Sequence, residues 1–230
     1  MKVLVVTPMQ AELDCFLRSC IGRDIATEPG LLGRLPVVRL PALDITLARG
    51  GLGKAQFALQ TQHLLDTEPG WGLVVCAGAA GALVDELAIG DVVVATSTVE
   101  HDYHNKFNQR PRPQFDGDPS AVAALRRVSL APTSFKVHFG PIASGDEDIV
   151  DPDRRRNLQQ STGALAVAWE GAGGARACQF GGVPFVEIRG LTDGATHNAP
   201  LDFERNLEAA LANAATVITA WISQTRSSPR

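Results

Sequence analysis

Three features of the sequence predict an α/β fold with a largely parallel central sheet. Val3 to Val6, Leu73 to Ala77 and Val92 to Val99 are apolar without alternation, as strands buried on both faces require. Helix-length segments lie between such runs, and strands alternating with helices build parallel units. Small residues gather where strands hand over to helices, at Gly50-Gly51-Leu52-Gly53-Lys54 and again between Gly171 and Gly182. With 230 residues, 45% of them hydrophobic, one domain over residues 1–224 followed by a polar tail at 225–230 is the economical reading.

Taken in order, the strand Val3 to Val6 turns at Thr7-Pro8-Met9 into a helix over Gln10 to Cys20. Its apolar side carries Leu13, Phe16, Leu17 and Cys20, and Glu12 falls in its first turn. Leu32 to Leu40 and Leu43 to Arg49 read as two strands joined at Pro41-Ala42. A helix follows the glycine turn to about Leu65, and the strand Leu73 to Ala77 ends in Gly78-Ala79-Ala80-Gly81-Ala82. His101 to Pro119 is polar and proline-rich, a long functional or interface loop. Ser120 to Val128 is a short helix and Lys136 to Ala143 a strand. Asp151 caps a polar helix to Ser161, with Pro152 at its first position. Phe203 to Gln224 is a long amphipathic helix.

The stretch from Ala164 to Gly194 organises the rest. An apolar run ends in Glu170, five glycines follow from Gly171 to Gly182, a strand runs from Val183 to Ile188, and Thr192-Asp193-Gly194 closes it. Each glycine inside a helix costs about 1 kcal/mol relative to alanine, which is tolerated where backbone passes close to something. Glu170 therefore stands at a helix start and Asp193 just past a strand, where open α/β sheets hold ligands.

Composition excludes several classes. A net charge of -4 argues against non-specific nucleic-acid binding, which needs a basic face. No apolar run reaches the roughly 18 residues of a membrane span, and Met1-Lys2-Val3 enters a strand without a signal-peptide layout. Cys15, Cys20, Cys76 and Cys178 lack metal-ligand spacing, so buried free thiols in a reducing cytoplasm are expected, with no metal and no cofactor.

Each acidic candidate also has a structural explanation. A glutamate in a helix's first turn, as at Glu12 or Glu170, is favourable against the macrodipole, and Asp193 before Gly194 suits a turn. His101 and His104 read as structural, and Glu187 and Arg189, two apart on one strand face, as ion-paired with neighbours rather than catalytic.

The motifs together decide between these readings. In order they are Met9-Gln10-Ala11-Glu12, Gly51-Leu52-Gly53-Lys54, Ala77-Gly78-Ala79-Ala80-Gly81, Ile89-Gly90-Asp91-Val92-Val93, Ser144-Gly145-Asp146, Trp169-Glu170-Gly171-Ala172 and Val183-Pro184-Phe185 to Thr192-Asp193. From about Met1 to Trp221 the chain resembles the purine nucleoside phosphorylase and nucleosidase superfamily, and within it the 5′-methylthioadenosine/S-adenosylhomocysteine nucleosidases. The resemblance implies a three-layer α/β/α, phosphorylase/hydrolase-like fold with a mixed, largely parallel sheet. It implies cleavage of the N-glycosidic bond of purine nucleosides such as 5′-methylthioadenosine, in nucleoside catabolism and methionine salvage. By the same resemblance Asp193 is the acid that protonates the leaving base, Glu12 places and deprotonates water, and Glu170 binds the ribose hydroxyls. Met9, Ala79, Asp148, Ile149 and Trp169 occupy the positions that surround sugar and base, and a homodimer is implied, with the loop from His101 to Pro113 near the partner's pocket.

The chain departs from that pattern at four places. Trp169 stands where methionine is usual, Ala168 replaces an acidic residue, Ala79 replaces a hydroxyl, and Asp148 replaces an aromatic that stacks on the purine. The phosphorylase branch commonly holds phosphate with arginines, and the matching positions are Ala11 and Cys76. Phosphate without guanidinium or hydroxyl partners is poorly held, so hydrolysis is favoured, with Arg49 and Lys54 the cations still nearby.

Overall fold

Successive side chains of Val3–Thr7 (β1) point to opposite faces of a sheet, and all five are buried. Val3 and Val5 enter one apolar core and Leu4 and Val6 another. A computed structural model describes residues 1–108 and 110–227. After β1 come α1 (Gln10–Ile21), β2 (Glu28–Leu32), β3 (Leu35–Leu40), β4 (Ile45–Arg49), α2 (Gly53–Thr67) and β5 (Leu73–Ala82). Then follow β6 (Val92–Glu100), β7 (Gln114–Asp116), α3 (Pro119–Leu125), β8 (Val137–Ser144) and α4 (Pro152–Thr162). The chain closes with β9 (Ala166–Ala168), α5 (Gly171–Gly181), β10 (Phe185–Asp193) and α6 (Ala199–Ser227).

The layers follow from the two cores. Leu13 and Phe16 of α1, Leu125 of α3 and Val217, Ile218 and Trp221 of α6 cover one face. Phe57 and Leu64 of α2 with Cys178 of α5 cover the other. This is the three-layer α/β/α arrangement. Within the sheet, β1 lies between β4 and β5, parallel to both, and β5 is parallel to β10. β10 pairs antiparallel with β6, β6 runs parallel to β8 and β8 to β9, and β9 returns antiparallel to β5. Five strands thus close on themselves, which leaves them no free edge to protect, while β1, β4, β3 and β2 extend outward.

Several boundaries differ from the sequence reading. Leu32 to Leu40 is not one strand: Gly33 takes φ +59° and turns the chain into a β2–β3 hairpin. β2 itself escapes the apolar pattern because four of its five residues are exposed and Pro29 marks it as an edge. The segment after Ala77 is strand rather than turn. β5 continues to Ala82, and its glycines and alanines let β10 and β9 pair with it at one end. A three-residue strand, β7, pairs with β6 inside the expected His101–Pro119 loop. β10 runs on to Asp193, so Thr192 and Asp193 belong to the strand. α6 extends to Ser227, where the hydroxyl of Thr225 donates to the Trp221 carbonyl (2.9 Å). Residues 225–227 of the expected polar tail are thus helical, and residues 228–230 lie outside the described residues.

α5 accounts for the glycine cluster. A Cβ on Gly173 would stand 2.3 Å from the Lys54 carbonyl oxygen, so the two helix backbones touch where α5 passes α2. One on Gly171 would stand 2.1 Å from a Glu187 carboxylate oxygen. Gly173→Ala should therefore destabilise the chain by roughly 1–3 kcal/mol despite alanine's better helix propensity. Urea unfolding measures this, and an unchanged or higher midpoint would contradict the close approach.

Candidate active site

The carboxyl ends of the strands and the start of α6 enclose a cavity of about 420 Å³. Met9 and Glu12 reach it from β1 and α1, and Ala79 to Gly81 from β5. Glu147 to Val150 follow β8, Trp169 and Glu170 follow β9, and Arg189, Thr192 and Asp193 come from β10. Pro200 and Phe203 close it from α6.

Arg189 lies at its floor, 1% exposed. Its Nε donates to Glu187 Oε1 (2.8 Å), Nη1 to the Ala79 carbonyl (3.3 Å) and Nη2 to Glu170 Oε2 (3.4 Å) and Cys76 Sγ (3.3 Å). Glu187 is held in turn by the Thr98 hydroxyl at 2.6 Å. Glu187 and Arg189, expected to pair with neighbours, pair with each other, and Arg189 also reaches Glu170; the pair forms the base of the site.

Glu12 sits beside this guanidinium. Met9, the N-cap of α1, donates its backbone N–H to Glu12 Oε2 (2.8 Å), and Ala79 donates to Oε1 (2.8 Å). Burial pushes the Glu12 carboxyl up to about 7 against these two hydrogen bonds and Arg189. A carboxylate with that affinity accepts a proton from water near neutral pH. Gly78 makes the approach feasible, since a Cβ there would meet Arg189 Nη1 at 2.5 Å and Glu12 Oε1 at 2.8 Å.

Glu170 is the N-cap of α5 and 4% exposed. Its Oε1 accepts from the Gly53 N–H (3.2 Å). The Ser144 hydroxyl fixes the turn from below, donating to the Trp169 carbonyl (2.7 Å) and accepting from the Ala172 N–H (2.9 Å). Burial raises Glu170 above the usual carboxylate range, opposed by Arg189. Asp193 accepts from the Thr192 hydroxyl (2.8 Å) and the Ala195 N–H (2.8 Å), and burial raises its pKa as well. Gly81 leaves room for it, because a Cβ there would stand 2.8 Å from Asp193 Oδ1.

The chain as a whole is similar to known proteins over nearly all of its length. The sequence profile described as the phosphorylase superfamily fits residues 2–223. The chain belongs to the phosphorylase superfamily. It is 29% identical to a 5′-methylthioadenosine/S-adenosylhomocysteine nucleosidase of Shewanella halifaxensis, over 97% of this chain and 100% of that one. A mutant Helicobacter pylori MTAN solved with 5′-methylthioadenosine in its active site superposes with TM-score 0.84 at 25% identity, covering 97% and 98% of the two chains. The futalosine hydrolase of the same organism superposes equally, with TM-score 0.84, 25% identity and the same coverage.

Within this superfamily frame, Met9, Glu12, Ala79, Asp148, Ile149, Trp169, Glu170 and Asp193 all line the one cavity. Ala168 lines it too, where the resemblance calls for an acid. Asp148 is exposed at the rim, Ile149 is buried behind it, and Trp169 is half-buried. His101 is packed under Gly145, with neither ring nitrogen hydrogen-bonded among the described residues, and His104 is exposed. All four cysteines are free and buried.

The phosphate positions are closed. Ala11 is exposed outside the cavity, and Cys76 is buried beneath Arg189. Lys54 Nζ is occupied by Glu100 (2.9 Å) and Asp102, and Arg49 does not line the cavity. Among the described lining residues Arg189 is the one cation, and it is bound to carboxylates.

Arg189, Phe203, Glu147 and Leu52 are among the lining residues that the sequence did not single out for the site. A charged pair inside an otherwise apolar strand was a usable signal for Arg189. Phe203 carried none, because it reads as one more apolar residue of an amphipathic helix.

The raised pKa of Glu12 has a stability consequence with a definite sign. Its favourable neutral form is fully present below 4.5, and that contribution is lost as pH rises through about 7. Glu12→Gln removes the loss, so its melting temperature relative to wild type should climb between pH 4.5 and about 7 and level off above. A difference that stays flat across that window would show that Glu12 titrates normally.

Proposed function

We propose that this superfamily member is a purine nucleosidase that hydrolyses the N-glycosidic bond of adenine nucleosides with a 5′-thio substituent, such as 5′-methylthioadenosine or S-adenosylhomocysteine. The observation that carries the reading is the convergence of Glu12, Glu170 and Asp193 on one cavity whose lining cation is already neutralised. Among the described lining residues no free cation is left to hold an anionic nucleophile, whereas water beside Glu12 has a base.

Poor solvation raises the proton affinity of Asp193, which in this reading delivers a proton to N7 of the purine as the bond from N9 to C1′ breaks. The base leaves neutral and the sugar develops positive charge at C1′. Glu170 accepts hydrogen bonds from the ribose hydroxyls, and its charge favours the cation. Water adds to C1′ as its proton passes to Glu12, in the two-carboxylate division of labour that glycoside hydrolysis uses. Met9 and Trp169 pack against the sugar, Ala79 leaves space beside it, and Ile149 and Asp148 face the base.

We place the enzyme in the cytoplasm as a homodimer. The four free buried thiols support the compartment. The second copy is supported by the exposed apolar side chains of Tyr103 and Phe107, in the loop that the family resemblance sets near the partner's pocket.

The reaction class is tested by turnover of 5′-methylthioadenosine in phosphate-free buffer, which should release adenine and a reducing sugar, with millimolar phosphate changing little. Asp193→Asn should keep ligand binding and lose on the order of 10²–10⁴ in kcat. Strict phosphate dependence with a sugar 1-phosphate product would replace hydrolysis by phosphorolysis.

Base choice gives a separate measurement. An ionised Asp148 accepts from a 6-amino group and repels a 6-carbonyl, so adenosine should outrun inosine, and Asp148→Ala should narrow that gap. An unchanged preference in the variant would remove Asp148 from base recognition.

A further inference from the structure

The start of α2 has no cap of its own. Leu52 stands at the N-cap position and offers no side-chain acceptor, so the first N–H groups of the helix need partners from elsewhere. Two carboxylates from other parts of the chain supply them. Glu170 Oε1 accepts from Gly53 N (3.2 Å) and Asp146 Oδ1 from Lys54 N (2.9 Å). The positive end of the helix dipole therefore holds the carboxylate assigned to the ribose.

The side chain of Lys54 then turns back on the same region. Its Nζ donates to Glu100 Oε1 (2.9 Å) and to Asp102 Oδ1, both at the end of β6. Asp102 Oδ2 accepts from Asp146 N (3.0 Å), which closes a ring: Lys54 ammonium, Asp102, Asp146, Lys54 backbone. Arg176 of α5 donates to the second oxygen of Glu100 (2.5 Å). α5 is the helix that Glu170 begins, and Gly173 brings its backbone against Lys54. The lysine side chain is 19% exposed, Glu100 7% and Asp102 25%. Without the ammonium, Asp102 would lose its cation beside Glu100, which would keep only Arg176, and the ring that ties the start of α2 to Asp146 would lose one of its links.

We infer that Lys54 is a positioning residue that sets the Glu170 carboxylate for the ribose hydroxyls by fixing the N-terminus of α2 against it. Lys54 itself does not line the cavity, so its effect passes through Glu170. The inference rests on the nucleosidase reading above, in which Glu170 binds the sugar.

The readout is the ratio of kcat/KM for adenosine over 2′-deoxyadenosine, which is independent of the fraction of active enzyme. Lys54→Met should cut this ratio by roughly tenfold, part of what a charged hydrogen bond to a hydroxyl contributes, while Lys54→Arg restores most of it. Asp102→Asn, which keeps the ammonium and weakens the ring, should lower the ratio in the same direction and serves if Lys54→Met folds poorly. A lower melting temperature with an unchanged ratio in both variants would make Lys54 merely structural and overturn the inference. Glu170→Gln separates the two levels. If it collapses the ratio while the Lys54 and Asp102 variants do not, only the inference falls; if it leaves the ratio intact, the ribose role of Glu170 falls with it.

Discussion

A guanidinium with 1% exposure is the constraint on which the site depends. Burying Arg189 is tolerable because Glu187 meets it at 2.8 Å and Glu170 lies at 3.4 Å; an isolated charge there would cost several kcal/mol. The same requirement sets the small residues around it. Gly78 clears the guanidinium and Glu12, and Gly171 clears Glu187. The glycines that weaken β5 and α5 are thus the geometric condition for a polar cluster between tightly packed elements.

That cluster divides the carboxylates. Glu187 is spent on Arg189 and Thr98. Glu12, Glu170 and Asp193 face the cavity, and burial raises the proton affinity of all three. Their surroundings differ: Glu12 and Glu170 share the field of Arg189, whereas Asp193 has two neutral donors, the Thr192 hydroxyl and the Ala195 N–H. The three carboxyl groups thus lie in unlike fields within one small volume, Asp193 with no cation among its partners and Glu12 and Glu170 beside one.

Much of the fold was legible because buried strands leave an unbroken apolar signature. Val3, Leu73 and Val92 open such runs, and each begins or lies in a strand whose two faces meet different packing layers. What failed was local. β2 is exposed at an edge and carries no apolar pattern, and the end of β5 reads as a glycine turn because side-chain pattern says nothing where side chains are absent. The eight candidate residues, which all line the cavity, were proposed through motif order, since no periodicity marks a carboxylate that faces a cavity.

By itself the sequence determined the strand–helix alternation, the position of Glu12 in a first turn, and the adjacency of Glu170 to a run of glycines. Those are local properties, set by side-chain period and backbone freedom. Tertiary structure alone decided that Arg189 would lie beneath the site, that Cys76 would be sealed under it, and that Lys54 would turn toward Glu100 and Asp102 rather than into the cavity. Each depends on strands distant in sequence closing into one ring, and charge pairing across such distances is chosen by packing, to which no local pattern points.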